Sequence, residues 1–160
     1  MARKLSRRGV KFIGSYEGFS PVAYNDPVGH ATIGFGHLLH YGPVTAADRR
    51  KRWSRRKGLR KLRHDAQPVV DAILRAKPKG MVLAKHELDM LTSAGFNLGA
   101  GVFDRGRSLG DALRAGNRKA IAAAFPLYVY AGNQKLPGLV RRRGAERRVF
   151  RNGYRRRRSK

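Results

Sequence analysis

The feature that most constrains this chain is the stretch Glu17–His37, which reads E-G-F-S-P-V-A-Y-N-D-P-V-G-H-A-T-I-G-F-G-H. Glu17 and Asp26 stand nine residues apart, no other acidic residue lies between them, and a lone hydroxyl follows at Thr32. Pro21, Asp26-Pro27 and Gly29 are turn formers, set between short runs carrying Val, Tyr, Thr, Ile and Phe, so the stretch predicts a tight β-hairpin. Before it, Val10, Phe12, Ile13 and Tyr16 are spaced for one helix face, which places Glu17 near a helix C-terminus. A carboxylate at a helix end and a second on a facing hairpin are able to flank a scissile bond from two sides. Glycosidases need such a pair, an acid for the leaving oxygen and a base or nucleophile across the sugar. The competing account is that both are solvated turn carboxylates, the commonest fate of an acidic residue. For Thr32 it is a β-branched side chain filling a strand.

The spacing E-G-x-x-P-x-A-Y-x-D-x-x-G-x-x-T-I-G-x-G-H resembles the phage-type lysozyme (endolysin) family, glycoside hydrolase family 24. The match runs through Glu17, Gly18, Pro21, Ala23, Tyr24, Asp26, Gly29, Thr32, Ile33, Gly34, Gly36 and His37. Two further segments fall in the family's order. Gly95–Phe103 is similar to F-N-x-G-x-G-x-F, and Pro137–Phe150 is similar to the terminal G-L-x-x-R-R-x-x-E helix.

The resemblance implies an α+β, mainly helical lysozyme-like fold. A small N-terminal hairpin lobe (about 15–65) and a helical lobe (about 80–150) would be joined by a long helix, with a cleft between them. Residues 1–150 then form the catalytic domain, and 151–160 a basic tail without apolar periodicity, expected to be disordered.

The activity implied is that of a lysozyme (EC 3.2.1.17), a muramidase cutting the β-1,4 bond between N-acetylmuramic acid and N-acetylglucosamine. Glu17 would be the acid, for which partial burial is expected, and Asp26 with Thr32 would position and activate a water, giving inversion. His37 and Asp65 match a buried ion pair between hairpin and long helix. Arg142 aligns with the arginine that pairs with the catalytic Glu, although Arg141 and Arg143 flank it and each equally reads as part of a basic helix face. Phe35, Phe96, Asn97 and Gly99 match positions on the sugar-binding side. In the 126–135 region, where the family often carries Trp and Gly-Gly, this chain has Tyr128, Tyr130 and Gly132-Asn133.

Composition sets bounds around that reading. One hundred and sixty residues make one domain or two small lobes. No apolar run approaches the length of a membrane span, and the basic N-terminus lacks the apolar segment of a signal peptide. The expected place is therefore the host bacterial cytoplasm before lysis, with action on the wall after membrane opening. The absence of cysteine excludes disulfides and thiolate metal sites. The five histidines lack the spacing of a metal motif, so neither metal nor cofactor is expected, and a monomer is.

The charge is the anomaly: 36 Lys and Arg against 10 Asp and Glu, a formal +26. Ten basic residues lie in Arg49–Arg63 and eleven in Arg141–Lys160. Such a field draws polyanions, whether anionic wall polymers, lipopolysaccharide or, non-specifically, nucleic acid. The alternative function class is accordingly a basic nucleic-acid or anionic-membrane binder on a lysozyme-like scaffold, with Trp53 available for stacking. That alternative leaves Glu17, Asp26 and Thr32 unexplained.

Local signals place the remaining elements. Thr45 with Asp48 reads as a capped helix start. Leu59–Ala76 has helical spacing with a break expected near Gln67, because Pro68 lies inside it. Leu83–Leu98 is a buried helix. Ser108 reads as the N-cap of a helix to Ala115, and Asn117 as the cap of the next. Residues 126–135 read as loop.

Overall fold

The computed structural model describes residues 3–154. Their backbone separates into two compact units, one of residues 10–67 and one of residues 3–9 with 68–154.

The 10–67 unit is built on a three-stranded antiparallel sheet in the order β1 (Ser20–Asn25), β2 (Ala31–Gly34), β3 (His37–His40). The expected hairpin is thus β1–β2, and β3 extends it. Asp26 closes the hairpin. Its carbonyl accepts from Gly29 N at 2.9 Å, and its Oδ1 accepts from Val28 N at 3.0 Å and His30 N at 2.8 Å. Pro27 fixes φ at the second turn position, and Gly29 supplies the φ of +88° that a side chain would disfavour.

Helix α1 (Arg7–Tyr16) contributes Val10 and Ile13 to the core with Ala31, Ile33, Phe35 and Leu62. It begins at Arg7, and its final turn passes to Glu17, whose N–H donates to Ile13 O at 3.1 Å. A short helix α2 (Ala46–Arg49) carries the expected capping box. Thr45 Oγ1 accepts from Asp48 N, and the Asp48 carboxylate accepts from Thr45 N.

Helix α3 (Arg55–Asp65) packs Leu62 inward and keeps its arginines out. It is capped at Ala66, and α4 (Gln67–Ala76) starts at once. The expected long helix is therefore two helices. Pro68 has no N–H to donate to His64 and is tolerated only in the first turn of a new helix.

In the other unit α5 (Lys85–Leu98) is buried on all sides from Glu87 to Gly95. Its polar residues are consequently all partnered. Glu87 pairs with Arg118 at 2.6 Å, Thr92 donates to Leu88 O, and Ser93 donates to Glu146. Asp89 accepts from Ser6 N at 2.9 Å and from the Tyr154 hydroxyl at 2.8 Å. Burial, then Asp89, pushes the Tyr154 phenol well above its usual range, so it stays a donor.

Helix α8 (Pro137–Asn152) packs on α5, and α6 (Ser108–Arg114) packs on α7 (Arg118–Ala124), with 3₁₀ turns at Ala100–Phe103 and Phe125–Leu127. Helix α6 begins at Ser108, so Arg107 and not Ser108 occupies the cap position, and Asp111 turns back to accept from Gly106 N. Asn117 caps α7 as expected, accepting from Ala120 N.

The 126–135 loop contains a two-stranded ribbon, β4 (Tyr130–Ala131) with β5 (Gln134–Lys135). Tyr128 Oη accepts from Leu109 N, a structural bond. Helix α8 runs on through Arg151 and Asn152, and Tyr154 is anchored on Asp89, so the start of the expected tail is ordered. Residues 155–160 lie outside the described residues.

Candidate active site

Strand pairing brings the expected residues together. Tyr24 on β1 stands directly opposite Thr32 on β2, and Thr32 is opposite Leu38 on β3. Directly paired residues project to the same face, with Cβ atoms roughly 5 Å apart. Asp26 follows β1 directly, where the turn to β2 begins.

The Tyr24 phenol is raised above its ordinary value by burial, then by the nearby charges of Asp26 and Glu17. Both carboxylates therefore act on one hydroxyl, and Tyr24 marks where α1 and the hairpin meet. Sequence reasoning placed Tyr24 in the motif but gave it no role. Its position between the two acids was the available signal.

A cavity of about 310 Å³ opens here, lined by Glu17, Gly18, Phe19, Ser20, Tyr24 and Gly36. Glu17 is half-buried, as expected of it. Asp26 has divided duties. Oδ1 holds the turn, while Oδ2 has no hydrogen-bond donor among the described residues. Thr32 is 3% exposed and donates to His30 O at 3.1 Å, which leaves its oxygen lone pairs to accept.

Supporting residues fall into place around the sheet. His37 Nδ1 lies 2.7 Å from Asp65 Oδ2, joining β3 to α3 as expected, in a pair that is partly open to solvent. Trp53 stacks on the His37 ring with centroids 5.5 Å apart, and Lys57 lies over Trp53 at 4.8 Å. The indole is thus engaged within the unit. Phe35, expected to contact sugar, is 3% exposed and packs on Phe19, against Gly14 and Gly58 and beneath Arg55. Its place is the core, reached from the turn between β2 and β3.

Arg142, Phe96, Asn97 and Gly99 belong to the helical unit. Arg142 is 4% exposed and donates to Glu146 Oε1 at 3.2 Å and to Ser93 O at 3.2 Å. Asn97 Oδ1 accepts from Arg143 Nη2 at 3.0 Å, Phe96 is half-buried, and Gly99 ends α5 with φ +88°.

A second polar cluster, not foreseen as a unit, ties β3 to α2. Asp48 is 2% exposed and accepts from Lys51 Nζ at 2.6 Å, Thr45 Oγ1 at 2.7 Å and His40 Nε2 at 2.7 Å. Those bonds, Lys51 first, hold its carboxyl far below the usual range, and the bond to Asp48 raises His40 above 6.5. A raised histidine stabilises the fold fully below its unfolded value and loses that contribution as pH rises through the folded value. The melting temperature should therefore fall between about pH 6 and pH 8 more steeply in the parent than in His40→Gln. Parallel slopes in calorimetry would contradict this. Asp48, being lowered, contributes at every pH above 3.8 and loses its contribution only in strong acid.

Among the described residues no group of three His, Cys, Asp or Glu could hold a metal, and no helix is long and apolar enough to cross a membrane.

An endolysin of Bacillus phage PZA is 32% identical over 152 residues, covering 94% of this chain and 56% of the relative. An endolysin of Acyrthosiphon pisum secondary endosymbiont phage 1 is 30% identical over 152 residues, covering 91% and 97%. This chain spans little more than half the length of the Bacillus phage PZA and B103 endolysins, 56% and 54%.

Among solved structures, a P22 lysozyme variant superposes with a TM-score of 0.80 at 28% identity, covering 94% of this chain and 100% of that one. The muramidase domain of SpmX from Asticaccaulis excentricus gives 0.75 at 28%, covering 93% and 98%. The fold is the α+β lysozyme-like one. Residues 14–146, which include Glu17, Asp26, Thr32 and Arg142, match the phage lysozyme family model, and the chain belongs to that family.

Proposed function

We propose that this protein is a muramidase (EC 3.2.1.17) that hydrolyses the β-1,4 bond between N-acetylmuramic acid and N-acetylglucosamine in peptidoglycan and so lyses bacteria. The observation that carries it is the cavity that Glu17 and Tyr24 line together, with Thr32 paired to Tyr24 across the hairpin that Asp26 closes.

Glu17 delivers its proton to the glycosidic oxygen as the bond from the anomeric carbon breaks. Asp26 Oδ2 takes a proton from a water whose oxygen forms the new bond to that carbon. Thr32 accepts the water's other hydrogen. Tyr24, whose phenol stays protonated, stands beside both carboxyl groups.

Water attacking the face opposite the leaving group inverts the anomeric centre, for which the carboxyls stand roughly 6.5–9.5 Å apart. Proton NMR of freshly released product should show the α-anomer first. An initial β-anomer would mean a covalent glycosyl intermediate and would overturn the role given to Asp26 and Thr32.

The enzyme acts as a monomer, made in the host cytoplasm and reaching the wall after the membrane opens. Its charge concentrates it on anionic wall polymers and gives salt-sensitive, sequence-independent affinity for nucleic acid.

A further inference from the structure

The helical unit has a recess of its own, of about 430 Å³, where Lys135, Arg147, Arg148 and Arg151 stand around a floor that includes Val140 and Gly144. No acidic residue lines it, and these four cations form no ion pair among the described residues. Arg147, Arg148 and Arg151 are exposed i+3 and i+4 neighbours on α8, an arrangement of like charges that weakens a helix.

Gly144 weakens it again, because glycine is a poor helix former. The chain's own packing does not require that glycine, since a Cβ there would meet nothing within 4 Å. What a glycine does provide is a low floor. Beside the cations the surface is unusually apolar. Leu127 is 62% exposed, Tyr130 57% and Val140 41%, and Tyr130 pairs with Lys135 across the β4–β5 ribbon.

We propose that this recess seats the phosphate headgroup of an anionic lipid, and that α8 and the β4–β5 ribbon dock there on a membrane surface. Guanidinium groups match phosphate oxygens in paired hydrogen bonds. Exposed apolar side chains next to them enter the headgroup–acyl boundary, the mixed pattern of peripheral membrane binding. A single-stranded nucleic acid would call for aromatic stacking inside the recess, where no aromatic residue lies, and a duplex would leave Leu127 and Tyr130 without a role. A phosphodiester polymer of the wall would use the cations and leave Leu127 and Tyr130 without a role. This docking is independent of the hydrolase assignment.

The test is co-sedimentation of the full 160-residue chain, at physiological ionic strength, with vesicles of phosphatidylcholine containing about one third phosphatidylglycerol. Pure phosphatidylcholine vesicles and soluble poly(glycerol phosphate) serve as comparisons. Changing Lys135, Arg147, Arg148 and Arg151 to Gln should weaken vesicle binding on the order of 100-fold or more. The same number of charges removed at Arg49, Arg50, Arg52 and Arg56 should weaken it only a few-fold. Gly144→Gln, with every charge kept, should weaken it several-fold while the protein melts no earlier. Leu127→Ser with Tyr130→Ser should weaken vesicle binding and leave polymer binding unchanged. Equal losses for the two charge-removed variants would reduce the effect to net charge and overturn the site. Polymer binding as tight as vesicle binding, with both indifferent to Leu127 and Tyr130, would overturn the membrane assignment.

Discussion

Glu17→Gln should lose wall-lytic activity by a factor on the order of 10²–10⁴, the usual worth of a positioned general acid. The amide keeps the shape of the side chain and has no proton to give. Glu17 is half-buried at the end of α1, outside the set of fully buried core residues, so the variant should keep its helical circular dichroism and melt cooperatively. Turbidity of permeabilised bacteria, followed for parent and variant at equal folded concentration, measures the effect. A folded Glu17→Gln protein that clears cells within a few-fold of the parent rate would remove Glu17 from the chemistry.

The largest stability effect is expected at Glu146. Its carboxylate is fully buried, accepts from Ser93 Oγ at 2.6 Å and Arg142 Nε at 3.2 Å, and lies 3.0 Å from Arg143 Nε. Burial pushes this carboxyl above its usual range, against the pull of Arg143, Ser93 and Arg142. Arg143 is itself wholly buried. Glu146→Gln removes a buried negative charge that two buried guanidinium groups share, a change that costs about 3–5 kcal/mol. In a chain of this size the melting temperature should fall on the order of 10 °C. A calorimetric drop of under about 2 °C would show that the arginines find other partners.

The sequence was most legible where structure is made by near neighbours. The whole hairpin with Glu17, Asp26 and Thr32 occupies twenty-one consecutive residues, and its turn is held by bonds from Asp26 to Val28, Gly29 and His30. The Thr45–Asp48 box, the Asn117 cap and the break before Pro68 are equally local.

Legibility failed where a partner is distant or an element is very short. The two-residue strands at 130–131 and 134–135 are too brief to show alternation, so they read as loop. Tyr154 looked like tail because Asp89, its partner, is 65 residues away. Phe35 sits among glycines, where an aromatic ring reads equally well as a sugar platform or as a plug, and only burial separates the two. Each of Arg141–Arg143 reads equally as the partner of the catalytic Glu and as part of a basic helix face, and only burial shows that Arg142 and Arg143 pack on Glu146. At the site itself the sequence named the acids, and the sheet register added Tyr24 between them.

The central claim is hydrolysis at one particular glycosidic bond, and the ends left in the product report on it directly. Purified peptidoglycan digested by the protein, reduced with borohydride and examined by mass spectrometry, should yield fragments ending in N-acetylmuramitol. A digest run in ¹⁸O-labelled water should carry the label at that end. Fragments ending in reduced N-acetylglucosamine, anhydro-muramic ends without label, or stem peptides released from uncut glycan would each contradict the account.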